Sequence, residues 1–202
     1  MSKVFDENYF KSVNYVDYLS RSERYDKLAD EIMTHLKVHD LDRGPILDFG
    51  CAVGMLVESL NKKGYKDVYG SDISEWALDQ AKSRGLNVTN EPCYGTHHGV
   101  VFALDVLEHM SVKELDDFLS SIRTKTLVFR IPIRREQDDD YYLECSRADP
   151  THIICLSKRE WKTYLEEKGY FCLDLNLHTI YNSTGVYSGI ALSKEFINSE
   201  FE

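Results

Sequence analysis

Basic charge is scarce in this 202-residue chain: 24 lysines and arginines stand against 34 acids, a net charge of −10. Nucleic acid and anionic membrane attract proteins through basic surface, so both are disfavoured as partners, although a local basic patch is not. Long apolar runs are missing as well. No stretch approaches the roughly 20 residues of a membrane span, and the opening MSKVFDENYF has no apolar core of signal-peptide length. The cysteines, Cys51, Cys93, Cys145, Cys155 and Cys172, are odd in number, widely spaced and without a Cys-x-x-Cys pair. Neither a zinc knuckle nor a disulfide framework is indicated, and reduced thiols in a cytoplasmic compartment are expected. No repeat and no low-complexity linker divides the chain. It is expected to be a single domain over residues 1–202, long enough to bury about 70% of its unfolded surface.

What is present alternates between two periods. Residues 1 to 20 are polar but carry Phe5, Tyr9, Phe10, Tyr15 and Tyr18. Tyrosines give large contact area with a polar tip, so residues 1–40 read as an aromatic arm and helix that cap a pocket. Tyr25, Leu28, Ala29, Ile32, Met33 and Leu36 fall at helical spacing, and Asp42-Arg43-Gly44-Pro45 ends that helix. A strand at Ile46-Leu47-Asp48 is followed by a helix through Val53, Leu56, Val57 and Leu60 that stops at Gly64. Lys66–Asp72 is a second strand, and a helix through Trp76, Ala77 and Ala81 follows it. Asn87–Thr89 is a weak third strand and Val100–Leu104 a strong, continuously apolar fourth. Ser111–Glu114 and Ser157–Glu160 are capping boxes at the heads of two further helices, and Thr126–Ile131 lies between them as a fifth strand. Residues 134–152 form a long charged loop. Phe171, Leu173, Leu175 and Leu177 alternate with polar residues as a half-buried strand. Asn182–Gly185 is turn chemistry, and Val186–Leu192 returns as the last strand. The expectation is an α/β fold: a Rossmann-like, doubly wound, mostly parallel sheet with a C-terminal antiparallel hairpin.

The chemistry centres on PILDFGCAVG, residues 45–54, where a strand, a glycine turn and a helix N-terminus meet. A dinucleotide fingerprint would place glycines at Gly50, Ala52 and Met55, and two of the three are missing. No Gly-Lys-Ser or Gly-Lys-Thr exists for a phosphate-binding loop. The ordered set instead resembles the class I S-adenosylmethionine-dependent methyltransferases. Their first motif is an acid followed by Gly-x-Gly-x-Gly, matched here by Asp48, Gly50 and Gly54 with Ala52 at the middle glycine. Asp72 comes 22 residues after Gly50, and Val106-Leu107-Glu108-His109 follows strand four. The resemblance spans about Pro45 to Leu192. It implies S-adenosyl-L-methionine as cofactor, with Gly50 and Cys51 holding its amino-acid end through backbone groups. Asp72 would then accept from the ribose hydroxyls, Ile73 pack on the adenine, and Ala103, Leu104 and Asp105 line the sulfonium side. Asn90 or Glu91 would touch the adenine edge.

Methyl transfer is an in-line displacement whose reactivity the cofactor carries, and an oxygen acceptor also needs a base or a metal. Asp105, Glu108 and His109 are spaced to share one face of a helical turn, and the loop ending Asp149-Pro150-Thr151-His152 returns a second histidine. Two carboxylates and two imidazoles could hold a divalent ion such as Mg²⁺, Mn²⁺ or Fe²⁺. The set looks like the metal site of the small-RNA 2′-O-methyltransferases and of some ubiquinone-biosynthesis O-methyltransferases, with Asp105 in place of their first glutamate. A Leu-Glu-His after strand four also occurs in methyltransferases of this type without a metal, where Glu108 and His109 brace the turn. Without an ion His152 is the candidate general base. His97 and His98 read as loop residues. Arg130, Arg134, Arg135 and Arg147 could receive an anionic group of the acceptor or be neutralised by Asp138-Asp139-Asp140. The leading expectation is methyl transfer to an oxygen of a small-molecule or carbohydrate-like acceptor. The alternatives are metal-dependent RNA 2′-O-methylation and a non-catalytic cofactor-binding module.

Overall fold

The structure, a computed structural model, describes residues 5–12, 20–177 and 185–199. Tyr15, Tyr18, His178 and the turn residues 182–184 lie outside the described residues. Strands β1 (Ile46–Phe49), β2 (Val68–Ser71), β3 (Val88–Thr89), β4 (His97–Leu104), β5 (Arg123–Pro132), β6 (Tyr170–Asp174) and β7 (Val186–Ser193) form one sheet. Their order is β3-β2-β1-β4-β5-β7-β6. The first five run parallel, and β7 pairs antiparallel with both β5 and β6. The chain leaves the sheet's edge at β3 and re-enters beside β1 at β4. That crossing makes a switch point, where two loops diverge and leave a crevice.

Period-two alternation sends each strand's side chains to two separate cores. On one face Ile46, Val100, Phe102 and Val128 pack with Leu28, Ile32 and Leu36 of α2 (Ser22–Val38) and with Leu56 and Leu60 of α3 (Met55–Lys62). On the other, Leu47, Val101, Ala103 and Phe129 pack with Phe118 of α5 (Val112–Ser121) and Trp161 of α7 (Lys158–Glu167). Helix α4 (Glu75–Ser83) is capped by the Ser74 side chain and adds Leu78 to the first core. The remaining helices are short: α1 (Glu7–Phe10), α6 (Glu144–Arg147) and α8 (Lys194–Ser199). Among the described residues no helix is long and apolar enough to cross a membrane.

Three local expectations change. His97 and His98 are the first residues of β4, because β5 begins at Arg123 and pairs with them. His98 is buried, its Nδ1 2.5 Å from the Tyr69 hydroxyl. Strand β6 ends at Asp174 and turns Cys172 inward, opposite Ala191, while Phe171 and Leu173 are about half-exposed at the sheet edge. The charged loop holds the short helix α6, and its arginines serve the loop itself. Arg134 grips both oxygens of Glu160 at 2.6 and 2.7 Å, Arg147 donates to the carbonyl of Tyr141, and Arg135 pairs with Asp138.

Both capping boxes form, but their surroundings differ. Ser157 is fully buried and its Glu160 also clamps Arg134, whereas the box of Ser111 and Glu114 is exposed. Ser157→Ala is expected to cost about 2 kcal/mol of stability and Ser111→Ala about 1 kcal/mol. Urea denaturation measures both, and equal losses would contradict the difference in burial.

Candidate functional site

A cavity of about 660 Å³ opens at the C-terminal ends of β1, β2 and β4, within the range of small-ligand pockets. Its inner half is built from the two loops of the switch point. Gly50 sits at φ +73°, and a Cβ there would lie 2.3 Å from a methyl of Val106, so only bare backbone fits. The N–H groups of Gly50 and Cys51 both donate to the Ser71 carbonyl, at 2.7 and 3.0 Å. This ties the end of β1 to the end of β2. Asp72 completes the tie: one carboxylate oxygen accepts from the Ala52 N–H at 2.7 Å and the other from the Ser74 N–H at 2.8 Å. Burial raises the Asp72 carboxyl above its ordinary value, opposed by these backbone donors. Beside it Ile73 is 71% exposed, an apolar side chain facing the cavity rather than a core.

Of the residues assigned from sequence to a cofactor, Gly50, Asp72, Ile73, Leu104 and Asp105 line this cavity, and so does Asn90. Asp48, Cys51, Gly54 and Ala103 stand behind its wall. Asp48 is 5% exposed, and Ala103 is buried among the residues of the second core. The Cys51 sulfur packs on Gly70, and Gly54 faces Leu86 and Ala81. Glu91 is exposed and, unlike Asn90, does not line the cavity; its backbone carbonyl accepts from the Ser71 hydroxyl.

The outer half gathers Glu108, His109 and His152. Strand β4 ends in a 3-10 turn, Leu107–His109, and the Glu108 carbonyl accepts from the N–H groups of Ile153 and Ile154 at 2.9 and 3.1 Å. That joint brings the 149–152 loop against the turn. His109 and His152 stack edge to face at 4.6 Å, and the Nε2 of each lies 3.9 Å from Oε1 of Glu108. Glu108 is fully buried, and neither carboxylate oxygen has a hydrogen-bond partner. Burial, and then the charge of Asp105, raise its carboxyl well above the usual range.

Asp105 does not join this group, contrary to the expected four-residue set. It has φ +57°, so the helical turn starts after it. Its N–H donates to the Arg130 carbonyl at 2.7 Å, and its carboxylate pairs with the Arg130 guanidinium. Several contacts of the site join residues far apart in the chain, which the sequence did not pair. The Tyr9 hydroxyl donates to Asp149 at 3.1 Å, and Phe5 meets the His109 ring edge-on at 5.6 Å. The Phe5 carbonyl accepts from the Ser74 hydroxyl, so the N-terminal arm touches both halves of the cavity wall. Thr151 and Ser146 hold the two imidazoles from behind. Only the Asp-Pro-Thr spacing hinted at this: the Asp149 carboxylate accepts from the Thr151 N–H at 2.9 Å, a local turn.

A model of the methyltransferase-domain family matches residues 20–175. Among solved structures, an S-adenosylmethionine-dependent methyltransferase from Clostridium acetobutylicum superposes with a TM-score of 0.66 at 16% identity, covering 93% of this chain and 99% of that one. DesVI of Streptomyces venezuelae gives 0.67 at 15% identity, covering 90% and 97%. Magnesium protoporphyrin IX methyltransferase from Synechocystis, solved with bound S-adenosylmethionine, gives 0.60 at 19%, covering 91% and 92%. At these identities the likeness to the three structures is one of fold. No curated protein sequence matches the chain.

Asp48 offers a test of the wall behind the inner half. Burial, with the Asp72 charge adding, pushes its carboxyl up from 3.8 to about 7. Between those values the folded chain keeps a proton that the unfolded chain has released, so this group's contribution to stability falls as pH rises through the window and is level above it. The full shift corresponds to about 4 kcal/mol. Asp48→Asn cannot ionise, so its stability relative to the native chain is expected to climb from pH 5 to pH 8 in urea titrations. Parallel pH profiles would contradict this.

Proposed function

The chain belongs to the class I S-adenosylmethionine-dependent methyltransferases, and from that premise we propose that it methylates an oxygen of a small-molecule or carbohydrate-like acceptor bound in the outer half of the cavity. The inner half fits the cofactor. Gly50 lines the cavity with bare backbone, a Cβ there being barred by Val106, Asp72 is a carboxylate already oriented by two backbone donors, and Ile73 is an apolar surface open to the cavity. Asp72 would hold the ribose hydroxyls, Ile73 and Asn90 the adenine, and the Gly50 loop with Leu104 and Asp105 the amino-acid and sulfonium end. Asp48, Cys51, Gly54 and Ala103 would support these from behind. Bound there, S-adenosylmethionine supplies a methyl group on a sulfonium, ready for displacement.

The choice of oxygen rests on one observation: the buried Glu108 carboxylate and the imidazoles of His109 and His152 converge on a single stretch of cavity wall. Carboxylate and imidazole lone pairs accept hydrogen bonds. A hydroxyl placed against them donates its hydrogen inward and leaves an oxygen lone pair for the methyl. His152 is the residue we assign to this contact, because Ser146 holds its Nδ1 and leaves Nε2 on the Glu108 side. The net charge of −10 weighs against an RNA acceptor, and the converging acceptor groups weigh against a purely cofactor-binding module. The five free thiols suit a cytoplasmic setting. The N-terminal arm caps the cavity, tied to Ser74 on one side and to Asp149 on the other.

Calorimetry with S-adenosylhomocysteine, and labelled methyl transfer to a panel of sugars and small hydroxyl compounds, test the proposal. Asp72→Ala is expected to weaken S-adenosylhomocysteine binding by about 10–150-fold, from the loss of a charged acceptor. His152→Ala should keep that affinity and lower turnover by about 100-fold or more. Methylation confined to amines or to RNA would reject the oxygen-acceptor reading. Deleting residues 1–12 should speed S-adenosylhomocysteine dissociation several-fold, as loss of a cap does; an unchanged rate removes the cap.

A further inference from the structure

We propose that the acceptor carries an ammonium group on the carbon next to its reacting hydroxyl, held by Glu108 and His109 while the hydroxyl meets His152. Glu108 sets the requirement. It is fully buried on the cavity wall, and neither of its oxygens has a hydrogen-bond partner. A buried carboxylate without a partner is among the costliest groups a protein can hold. Protonation does not remove the difficulty, because a neutral carboxyl still needs an acceptor for its hydrogen and a donor for its other oxygen. The Arg130 guanidinium is engaged by Asp105. The Nε2 atoms of His109 and His152 lie 3.9 Å from Oε1 of Glu108, beyond hydrogen-bonding reach.

The imidazoles are also held in the wrong tautomer to donate. His152 Nδ1 lies 3.0 Å from the Ser146 carbonyl, an acceptor only, so Nδ1 carries the hydrogen and Nε2 the lone pair. Thr151 donates its hydroxyl to Asp149 at 2.5 Å, and its oxygen then accepts from His109 Nδ1 at 2.8 Å. His109 therefore also turns an Nε2 lone pair toward Glu108. The carboxylate thus faces two further acceptors. The reacting hydroxyl brings one hydrogen, and His152 takes it. The Gly50 loop keeps the amino-acid end of S-adenosylmethionine in the inner half. A donor for Glu108 then has to come from a second group on the acceptor molecule.

An ammonium fits that place in number, angle and charge. It brings hydrogens and no lone pair to a wall of acceptors, and a positive charge to a carboxylate that lacks one. A nitrogen about 2.8 Å from two acceptors 3.9 Å apart subtends roughly 90° between them, and acceptors at the 4.8 Å limit of this cluster subtend about 120°. The tetrahedral angle between an ammonium's hydrogens falls within that span, so the side chains need not move. A hydroxyl in the same place would bring one hydrogen and leave the charge unbalanced. Oε1 of Glu108 and Nε2 of His152 are likewise 3.9 Å apart, a spacing that donors on adjacent carbons serve. The ammonium also directs the chemistry, because a nitrogen kept protonated has no lone pair for the methyl. The hydroxyl oxygen forms its bond to the methyl carbon as the carbon–sulfur bond breaks toward sulfur, and its proton passes to His152. Placing the hydroxyl rests on the oxygen-acceptor reading, whereas the contact of the ammonium with Glu108 does not.

The test is calorimetric titration of the full-length protein, saturated with S-adenosylhomocysteine at pH 7 and with EDTA present, using matched pairs of compounds. These are 2-aminocyclohexanol against cyclohexane-1,2-diol, and glucosamine against N-acetylglucosamine. Each amino compound should bind at least about 10-fold more tightly than its neutral partner, the preference a charged hydrogen bond confers. Glu108→Gln should weaken the amino compounds by about 10–150-fold and leave the neutral partners and S-adenosylhomocysteine unchanged. Glu108→Asp, which keeps the charge, should retain part of the preference. A native chain that binds the amino compounds no more tightly than their partners overturns the ammonium contact. So does a Glu108→Gln chain that keeps both the preference and its affinity for S-adenosylhomocysteine. Where a variant loses S-adenosylhomocysteine binding, the comparison between compounds in the native chain decides by itself. Methylation of hydroxyls without the preference leaves the oxygen-acceptor reading standing and rejects the ammonium. The preference with the methyl found on nitrogen keeps the Glu108 contact and rejects the oxygen-acceptor reading instead.

Discussion

Two backbone hydrogen bonds from Ile153 and Ile154 to the carbonyl of Glu108 hold the outer site together. They fasten a long loop, which the chain reaches only after β5, to the turn that ends β4. Together with the Thr151 hydroxyl against His109 Nδ1, that joint fixes His152 relative to Glu108 and His109, because nothing in the intervening sequence sets their distance. The fold supplies the joint's two ends. Parallel pairing of β4 with β5 aligns Leu104 with Arg130, so both strands deliver their following loops to the same side of the sheet. The buried capping box of Ser157 then stops the loop and starts α7 immediately beyond Ile154 and Leu156.

The inner half is fastened by a different device. The Asp72 carboxylate bridges the N–H groups of Ala52 and Ser74, and so locks the loops after β1 and β2 to each other. Ala52 has φ +48°, a conformation that costs a residue with a Cβ about 1–2 kcal/mol. A glycine there would relax the strain and also loosen the loop in the unfolded chain. Strained backbone beside a ligand-shaped cavity is where a fold keeps groups pre-oriented, and the sheet's two cores offset the cost.

Much of this was legible because it is local. Capping boxes at Ser111 and Ser157, the apolar run of β4, and the strand, glycine turn and helix around Gly50 each need only a few neighbouring residues. What was hidden depends on partners distant in the chain. The alternation of Phe171 to Leu177 shows a strand but not which face is covered, and at an edge the register with Ala191 and Leu192 decides it. His97 and His98 read as loop because their pairing with Arg123 and Thr124 leaves no trace in their own composition. The arm's aromatics stood out in the sequence, but the link from Tyr9 to Asp149 joins residues 140 positions apart and leaves no local trace. The spacing that placed Asp105 beside Glu108 and His109 assumed an uninterrupted helical turn, and a left-handed residue breaks that assumption.

Asp105 also explains why charge accumulates where it does. Among the described residues five carboxylates lie along the cavity wall, and four of them are compensated. Asp72 has its backbone donors, Asp105 has Arg130, Glu114 has Ser111, and Asp149 has Thr151 and Tyr9. Glu108 is the most buried of the five and has no hydrogen-bond donor, and the charge of Asp105 opposes its ionisation. Arg130 cannot serve both acids equally, because the β4–β5 register seats it beside residue 104, under Asp105. A buried carboxylate without a donor, on the wall of a ligand-sized cavity and beside two imidazoles, is the arrangement a fold holds for a site of chemistry rather than for stability.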